Sequence, residues 1–207
     1  MYIAHRINYL DARIAAEVFA AADGIEFDIR DSAGQIIVTH DPFSSGQLFA
    51  DFLSFCVPNK FYIVNVKSEG IESVAISALE AAGIQQFFLL DCSIPAMVRL
   101  GHAGETRMAV RFSEYESLET VLSMAPFVQW VWVDVFTRLP LDAASASTIH
   151  NAGLKICLVS PELQAQQEKL FEYKSVLLTD GVEIDAVCTK LHNISSWLFE
   201  RSPCPTM

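Results

Sequence analysis

Basic residues are scarce in this chain: 14 Lys and Arg stand against 25 Asp and Glu among 207 residues, leaving a net charge of −11. That balance repels a phosphate backbone, which argues against nucleic-acid binding and against attachment to an anionic membrane. Cysteine pairs are missing too. The five cysteines, Cys56, Cys92, Cys157, Cys188 and Cys204, are odd in number, widely spaced and free of any CxxC. Neither a disulfide framework nor a zinc site is indicated, and they read as core thiols in a reducing compartment. No apolar run reaches the ~18 residues that span a bilayer, and the N-terminus lacks a basic, apolar, small-residue leader. A cytoplasmic protein without stable membrane insertion is the expectation. Linkers, charge blocks and low-complexity tracts are absent, so residues 1–207 read as a single domain.

What is present is apolar and periodic: 52% of residues are hydrophobic. Short β-branched or aromatic runs alternate with longer stretches of helical spacing, the pattern of βα units around a parallel sheet. The strand candidates are 2–5, 25–30, 61–67, 87–91, 107–112, 130–136, 155–159 and 186–189. Helix candidates lie at 12–22, 47–56, 69–82, 93–100, 114–124, 141–151, 161–173 and 191–201. A further alternating run, Ile36–Thr39, follows the turn-like Asp31-Ser32-Ala33-Gly34 and predicts a small β-hairpin extension after the second strand. Eight units in 207 residues fit an α/β fold of the (β/α)8 TIM-barrel type near its lower limit of about 200 residues. An open doubly wound sheet would share the alternation, but its glycine-rich turn after the first strand is missing.

In a βα barrel the reactive groups sit where strands end. Here those ends are polar: His5-Arg6, Glu26 and Asp28, His40-Asp41, Asn65 and Lys67, Asp91, Arg111 and Asp134. Period-2 alternation sets Glu26 and Asp28 on one side of the second strand and Ile25, Phe27 and Ile29 on the other. With the apolar side facing helices, two carboxylates point into the barrel mouth, a donor set suited to Mg2+ or Ca2+ rather than zinc. The same parity sends Asn65 and Lys67 inward and Val64 and Val66 outward. His5 and His40 reach one opening from different sides and can divide general acid and base work. Arg6, Lys67 and Arg111 offer donors to a phosphoryl group, so a small phosphorylated ligand is implied. Blander readings stand beside these: Glu26-x-Asp28 as a solvated strand face ion-paired with Lys67, Trp130 and Trp132 as core, and Asp91 and Asp134 as helix caps.

The set His5-Arg6, Glu26-Phe27-Asp28, His40-Asp41-Pro42 and Asn65-Val66-Lys67 resembles the HR…ExD…HD…ExK signature of the glycerophosphodiester phosphodiesterase family of phospholipase-C-like barrels. Downstream pieces such as Leu90-Asp91-Cys92-Ser93, Arg111-Phe112-Ser113-Glu114 and Ser160-Pro161-Glu162-Leu163 look like a bacterial branch of it. The resemblance implies a divalent cation, Mg2+ or Ca2+, on Glu26 and Asp28, acid/base catalysis by His5 and His40, and phosphate binding by Arg6 and Lys67. It implies metal-dependent hydrolysis of a small phosphodiester, foremost a glycerophosphodiester, to a phosphomonoester and an alcohol. Two alternatives share the site: a sphingomyelinase D-like lyase that releases a cyclic phosphate, and a non-catalytic phospho-ligand binding protein. The chain departs from the family at Asn65, which replaces the usual third acidic ligand with a weaker neutral carbonyl. Asp91 or Asp134 could compensate from neighbouring or facing strands, with Asp91 favoured because the fourth strand lies beside the third. The short interval between His40 and Phe61 leaves little room for a capping insertion, and an open pocket is expected.

Overall fold

The computed structural model describes residues 1–198, so Cys204 and the end of the 191–201 helix candidate lie outside it. The strands are β1 (Tyr2–Ala4), β2 (Gly24–Ser32), β3 (Gln35–Val38), β4 (Gln47–Leu48), β5 (Phe61–Val66), β6 (Phe87–Leu90), β7 (Ala109–Phe112), β8 (Trp130–Val133), β9 (Lys155–Val159) and β10 (Ala186–Thr189). Between them run α1 (Ala12–Ala21), α2 (Phe49–Leu53), α3 (Glu72–Ala81), α4 (Ile94–His102), α5 (Leu118–Met124), α6 (Ala143–Asn151) and α7 (Leu170–Thr179), with α8 (Ile194–Trp197) after β10. Parallel pairing runs β6-β5-β2-β1-β10-β9-β8-β7. The sheet curls until β6 and β7 meet across a seam with one parallel bridge, Leu89 to Met108. The architecture is α/β and TIM-barrel-like. β3 pairs antiparallel with the end of β2 and with β4.

Two apolar layers explain the curl. Ile25, Phe27, Ile29, Val64 and Val66 pack outward with Val18, Phe19, Phe52 and Leu79 from the helices. Inside, Ile3, Phe61, Ile63, Phe88, Trp130 and Cys157 form a second cluster. Phe61 and Phe88 each lie 5.2 Å from the Trp130 ring, so the interior is filled with aromatic and aliphatic side chains. Trp130 and Trp132 are accordingly core residues. The described cysteines are unpaired, and three of them are buried. A Cβ on Gly24 would lie 2.0 Å from the Phe61 carbonyl oxygen, which reserves that position of β2 for glycine.

Side-chain caps open four of the eight α-helices among the described residues, α1, α4, α5 and α6. The Asp11 carboxylate accepts the Ile14 N–H at 2.7 Å and opens α1. Asp142 and Ser145 form a capping box on α6. Several boundaries differ from those the periodicity predicts. Residues 47–48 add a short strand to β3 and helix begins only at Phe49. The stretch from Glu114 stays a loop until Ser117 caps α5. The predicted 161–173 helix is interrupted at Ala165, whose φ of 58° is left-handed, giving two 3-10 turns before the helix proper begins at Leu170 as α7. No helix among the described residues is long and apolar enough to cross a membrane.

Candidate active site

The inward residues of adjacent strands come together at the C-terminal end of the sheet. β2 and β5 run in register with Asp28 opposite Asn65 and Glu26 opposite Ile63, so Glu26, Asp28, Asn65 and Lys67 share one interior face. Glu26 and Asp28 are each 1% exposed. The Asn65 amide donates to Glu26 Oε1 at 3.0 Å, and Arg6 N–H donates to Glu26 Oε2 at 2.7 Å. Burial, reinforced by the Asp28 charge, pushes the Glu26 carboxyl up to about 7.

The loop after β1 wraps this acidic pair. His5 N–H donates to the Thr189 carbonyl, and its ring Nε2 stands 3.7 Å from Glu26 Oε2. Arg6 adopts a left-handed φ of 55°, a conformation a non-glycine residue holds only where its surroundings fix it. Its Nε lies 3.9 Å from Asp28 Oδ2. Asn8 then locks Asp28 twice, donating from Nδ2 to Oδ2 and accepting the Asp28 N–H, both at 2.8 Å. Burial and the neighbouring Arg6 charge lower His5 to about 4, so its ring is neutral at neutral pH.

Beyond Asp28 charges alternate strand by strand. Lys67 Nζ is 3.6 Å from Asp28 Oδ1 and 2.9 Å from Asp91 Oδ2. Arg111 bridges Asp91, at 2.5 Å, and Asp134. Burial alone would raise Asp91, but Arg111 and Lys67 outweigh it and hold its carboxyl below the usual range. At Asp134 burial prevails against Arg111 and the carboxyl is raised. Asp91 is no helix cap: Ser93 caps α4, and a left-handed φ of 61° turns Asp91 toward the two cations. Both of its oxygens are engaged by Lys67 and Arg111.

A cleft of about 640 Å³ opens over this floor, lined by His5, Arg6, Asn65, Lys67, Arg111 and Asp134 together with aromatic residues of the β7 and β8 loops. Seven of the sequence candidates therefore gather: His5, Arg6, Glu26, Asp28, Asn65 and Lys67 around the acidic pair, and Asp91 through its bridge to Lys67. His40 stands apart from the cleft lining. Its backbone is placed next to β2, since Thr39 N–H donates to the Asp28 carbonyl and Arg30 holds the His40 carbonyl. Its ring, 38% exposed, turns to Asp41 with Nδ1 2.7 Å from Oδ1. Sequence reasoning missed Asn8 and Glu162. Glu162 is buried behind His5, accepting bonds from Ser160, Thr189 and the Lys190 N–H. Burial would raise its carboxyl, yet those donors hold it below its ordinary value. Its place just past β9 is the one signal that could have found it.

Neither a protein-family model nor a curated protein sequence matches the chain. Solved structures do. A glycerophosphodiester phosphodiesterase from Thermotoga maritima superposes with a TM-score of 0.68 over 94% of this chain and 96% of its own, at 14% identity. One from Agrobacterium tumefaciens gives 0.63 over 90% and 95%, at 15% identity. The chain has the glycerophosphodiester phosphodiesterase fold. The glycerophosphoryl diester phosphodiesterase domain of a Mycobacterium tuberculosis protein adds a TM-score of 0.65 over 95% and 98%, at 13% identity. At such identities a glycerophosphodiester phosphodiesterase likeness concerns the course of the backbone, and the chemistry must be argued from the side chains.

The donor set fits a hard divalent cation. Among the described residues no three His, Cys, Asp or Glu side chains cluster for a metal, so a third protein ligand beside the two carboxylates would have to be of another kind, such as an amide oxygen. Asn65 supplies one: its Oδ1 is buried and has no hydrogen-bond donor, although an unpaired buried carbonyl costs about 1–3 kcal/mol. Two buried carboxylates and that oxygen form an all-oxygen set of the kind Mg2+ and Ca2+ take.

Proposed function

We propose that this protein is a metal-dependent phosphodiesterase that hydrolyses a small phosphodiester, foremost a glycerophosphodiester, to a phosphomonoester and an alcohol. The observation that carries the reading is the unpaired, buried Asn65 Oδ1 beside two carboxylates that share one interior face. Glu26, Asp28 and Asn65 would hold Mg2+ or Ca2+, which when bound stabilises negative charge on the phosphoryl oxygens. Arg6 and Lys67 bind and orient those oxygens, and Asp91 positions Lys67. His5, neutral and shielded, accepts a proton from the attacking water. His40 donates one to the departing alkoxide, with the Asp41 carboxylate holding its Nδ1–H. That division assigns the base to the ring kept uncharged and the acid to the ring with a carboxylate partner.

The test is turnover of a glycerophosphodiester with Mg2+, with Ca2+ and with chelator. Chelation abolishes it, and Glu26→Gln, Asp28→Asn and His5→Ala each lower kcat by at least about a hundredfold with circular dichroism unchanged. A variant lacking both His5 and His40 that retains full activity would remove the assignment. A cyclic product in phosphorus NMR would mark the lyase instead. The absence of a third acidic ligand among the described residues favours one other reading, a phospho-ligand binding protein without turnover. That reading gains if ligand binds with any divalent metal yet is never cleaved, and if Asn65→Glu creates no activity.

A further inference from the structure

The cleft has a second character that hydrolysis of a fully polar diester does not use. Besides the charged groups it is lined by Tyr115 from the β7 loop and by Phe136 from the β8 loop, together with Trp132, Val159 and Leu163, and Glu116 and Gln164 complete the wall. Tyr115 is 74% and Phe136 39% exposed, and their rings lie 5.9 Å apart. Single exposed aromatics are ordinary on a protein surface. Here two come from separate loops, pair with each other and face the same opening as Lys67 and Arg111.

The loops that carry them are tied down. Glu114, next to Tyr115, accepts from the Thr137 N–H at 2.5 Å, the Thr137 hydroxyl at 2.8 Å and the Arg138 N–H at 3.0 Å. From the far side Gln166 donates to the Val135 and Phe136 carbonyls at 2.6 and 2.9 Å, and Lys169 donates to the Thr137 carbonyl at 2.7 Å. The anchors hold the backbone while the rings stay open to solvent. A pre-formed apolar wall beside convergent charged groups is the arrangement that binds an amphipathic small molecule.

We infer that one alcohol arm of the phosphodiester is a single apolar chain, seated against Tyr115 and Phe136 while Arg6 and Lys67 hold the phosphate. This deepens the diesterase reading and rests on it. The other arm has its own place: His5 and Arg6 also border a second cleft of about 400 Å³, whose walls combine Glu162, Lys190 and His192 with Ile7, Leu163 and Leu191. The phosphate, held by Arg6, thus stands where the two clefts meet. A glycerol-like arm placed in the aromatic subsite would leave both rings wet, whereas a hydrocarbon chain of four or more carbons would cover them.

Calorimetric binding of methyl octyl phosphate and dimethyl phosphate tests this, since both carry one negative charge and differ only in the chain. The octyl ester is expected to bind at least ~10-fold tighter, with methyl butyl phosphate between the two. A Tyr115→Ser/Phe136→Ser variant is expected to bring the ratio to within about twofold; because the chain-length series is read on the unaltered protein, the test stands even if that variant folds poorly. Equal binding of the three esters, or a preference that survives loss of both rings, overturns the inference. Turnover of a glycerophosphodiester with Mg2+ or Ca2+ is scored separately. Cleavage without a chain preference in binding keeps the diesterase and removes the apolar subsite, whereas a chain preference without cleavage keeps the subsite and removes the diesterase.

Discussion

His5 is the residue at which burial and function make the same demand. A histidine in the unfolded chain takes up a proton near 6.5, but in the folded protein only near 4, because burial and the Arg6 charge oppose the imidazolium. Between those values the unfolded state binds more protons than the native state. Stability contributed at neutral pH is therefore lost as the pH falls through that window, by about 2 kcal/mol between pH 7 and pH 5. His5→Asn removes the titrating group. The fall in unfolding free energy between pH 7 and pH 5, measured in urea, should then be shallower in the variant by about that amount. Equal falls in the two proteins would mean that His5 takes up its proton at the same pH in the folded and the unfolded chain, so that burial does not hold the ring neutral. Glu26, raised to about 7 by burial and Asp28, acts in the opposite sense: the folded protein keeps its proton where the unfolded chain has lost it, so the metal-free protein weakens as the pH rises from about 4.5 toward 7. Because the His5 ring lies 3.7 Å from Glu26 Oε2, the same comparison made in a Glu26→Gln background removes the second titration.

At the scale of elements, the alignment of β2 with β5 is what turns separate side chains into a site. Gly24 lets the two backbones approach: a Cβ there would meet the Phe61 carbonyl oxygen at 2.0 Å and its carbon at 2.8 Å. Gly24→Ala must push the strands apart at the base of six register pairs that end beside Asp28 and Asn65. A loss of about 3 kcal/mol in unfolding free energy is expected, together with weaker divalent-cation binding by calorimetry; an unchanged midpoint would show that the ladder can shift at little cost. The strand alternation was legible in the residues themselves, since Ile25, Phe27 and Ile29 can be buried against helices only if Glu26 and Asp28 face inward. Loops were not. The apolar spacing over 114–124 suggests one helix, but Glu114 instead binds the loop after β8, a contact with no trace in local periodicity. Asn8 and Glu162 escaped notice for the same reason, because the parity that sorts a strand's faces stops at the strand's end. The alternation Asp28, Lys67, Asp91, Arg111, Asp134 is visible only once strand order is known.

For the molecule as a whole, the weakest closure in the sheet lies next to the site. β2 and β5 share six register pairs, whereas β6 and β7 share one bridge and the Leu89 N–H to Arg107 carbonyl bond at 2.9 Å. Above that gap Asp91, at the end of β6, is clasped by Arg111 of β7 and by Lys67. The same ion network that holds Lys67 therefore spans the seam. Because Asp91 is partly shielded, its two pairs contribute more than exposed ion pairs, which are worth about 0–1 kcal/mol each. Local opening should begin here, since a strand edge held by few hydrogen bonds separates at a free energy below that of global unfolding. In native-state hydrogen exchange the Leu89 amide should therefore exchange through local opening, while amides in the middle of β5 exchange only with global unfolding. Asp91→Asn loosens the clasp and should speed Leu89 by roughly tenfold, equivalent to about 1.4 kcal/mol, with little change at β5. A Leu89 amide as slow as those of β5, and indifferent to Asp91→Asn, would mean that apolar packing alone seals the sheet and that the charge ladder serves only the ligand.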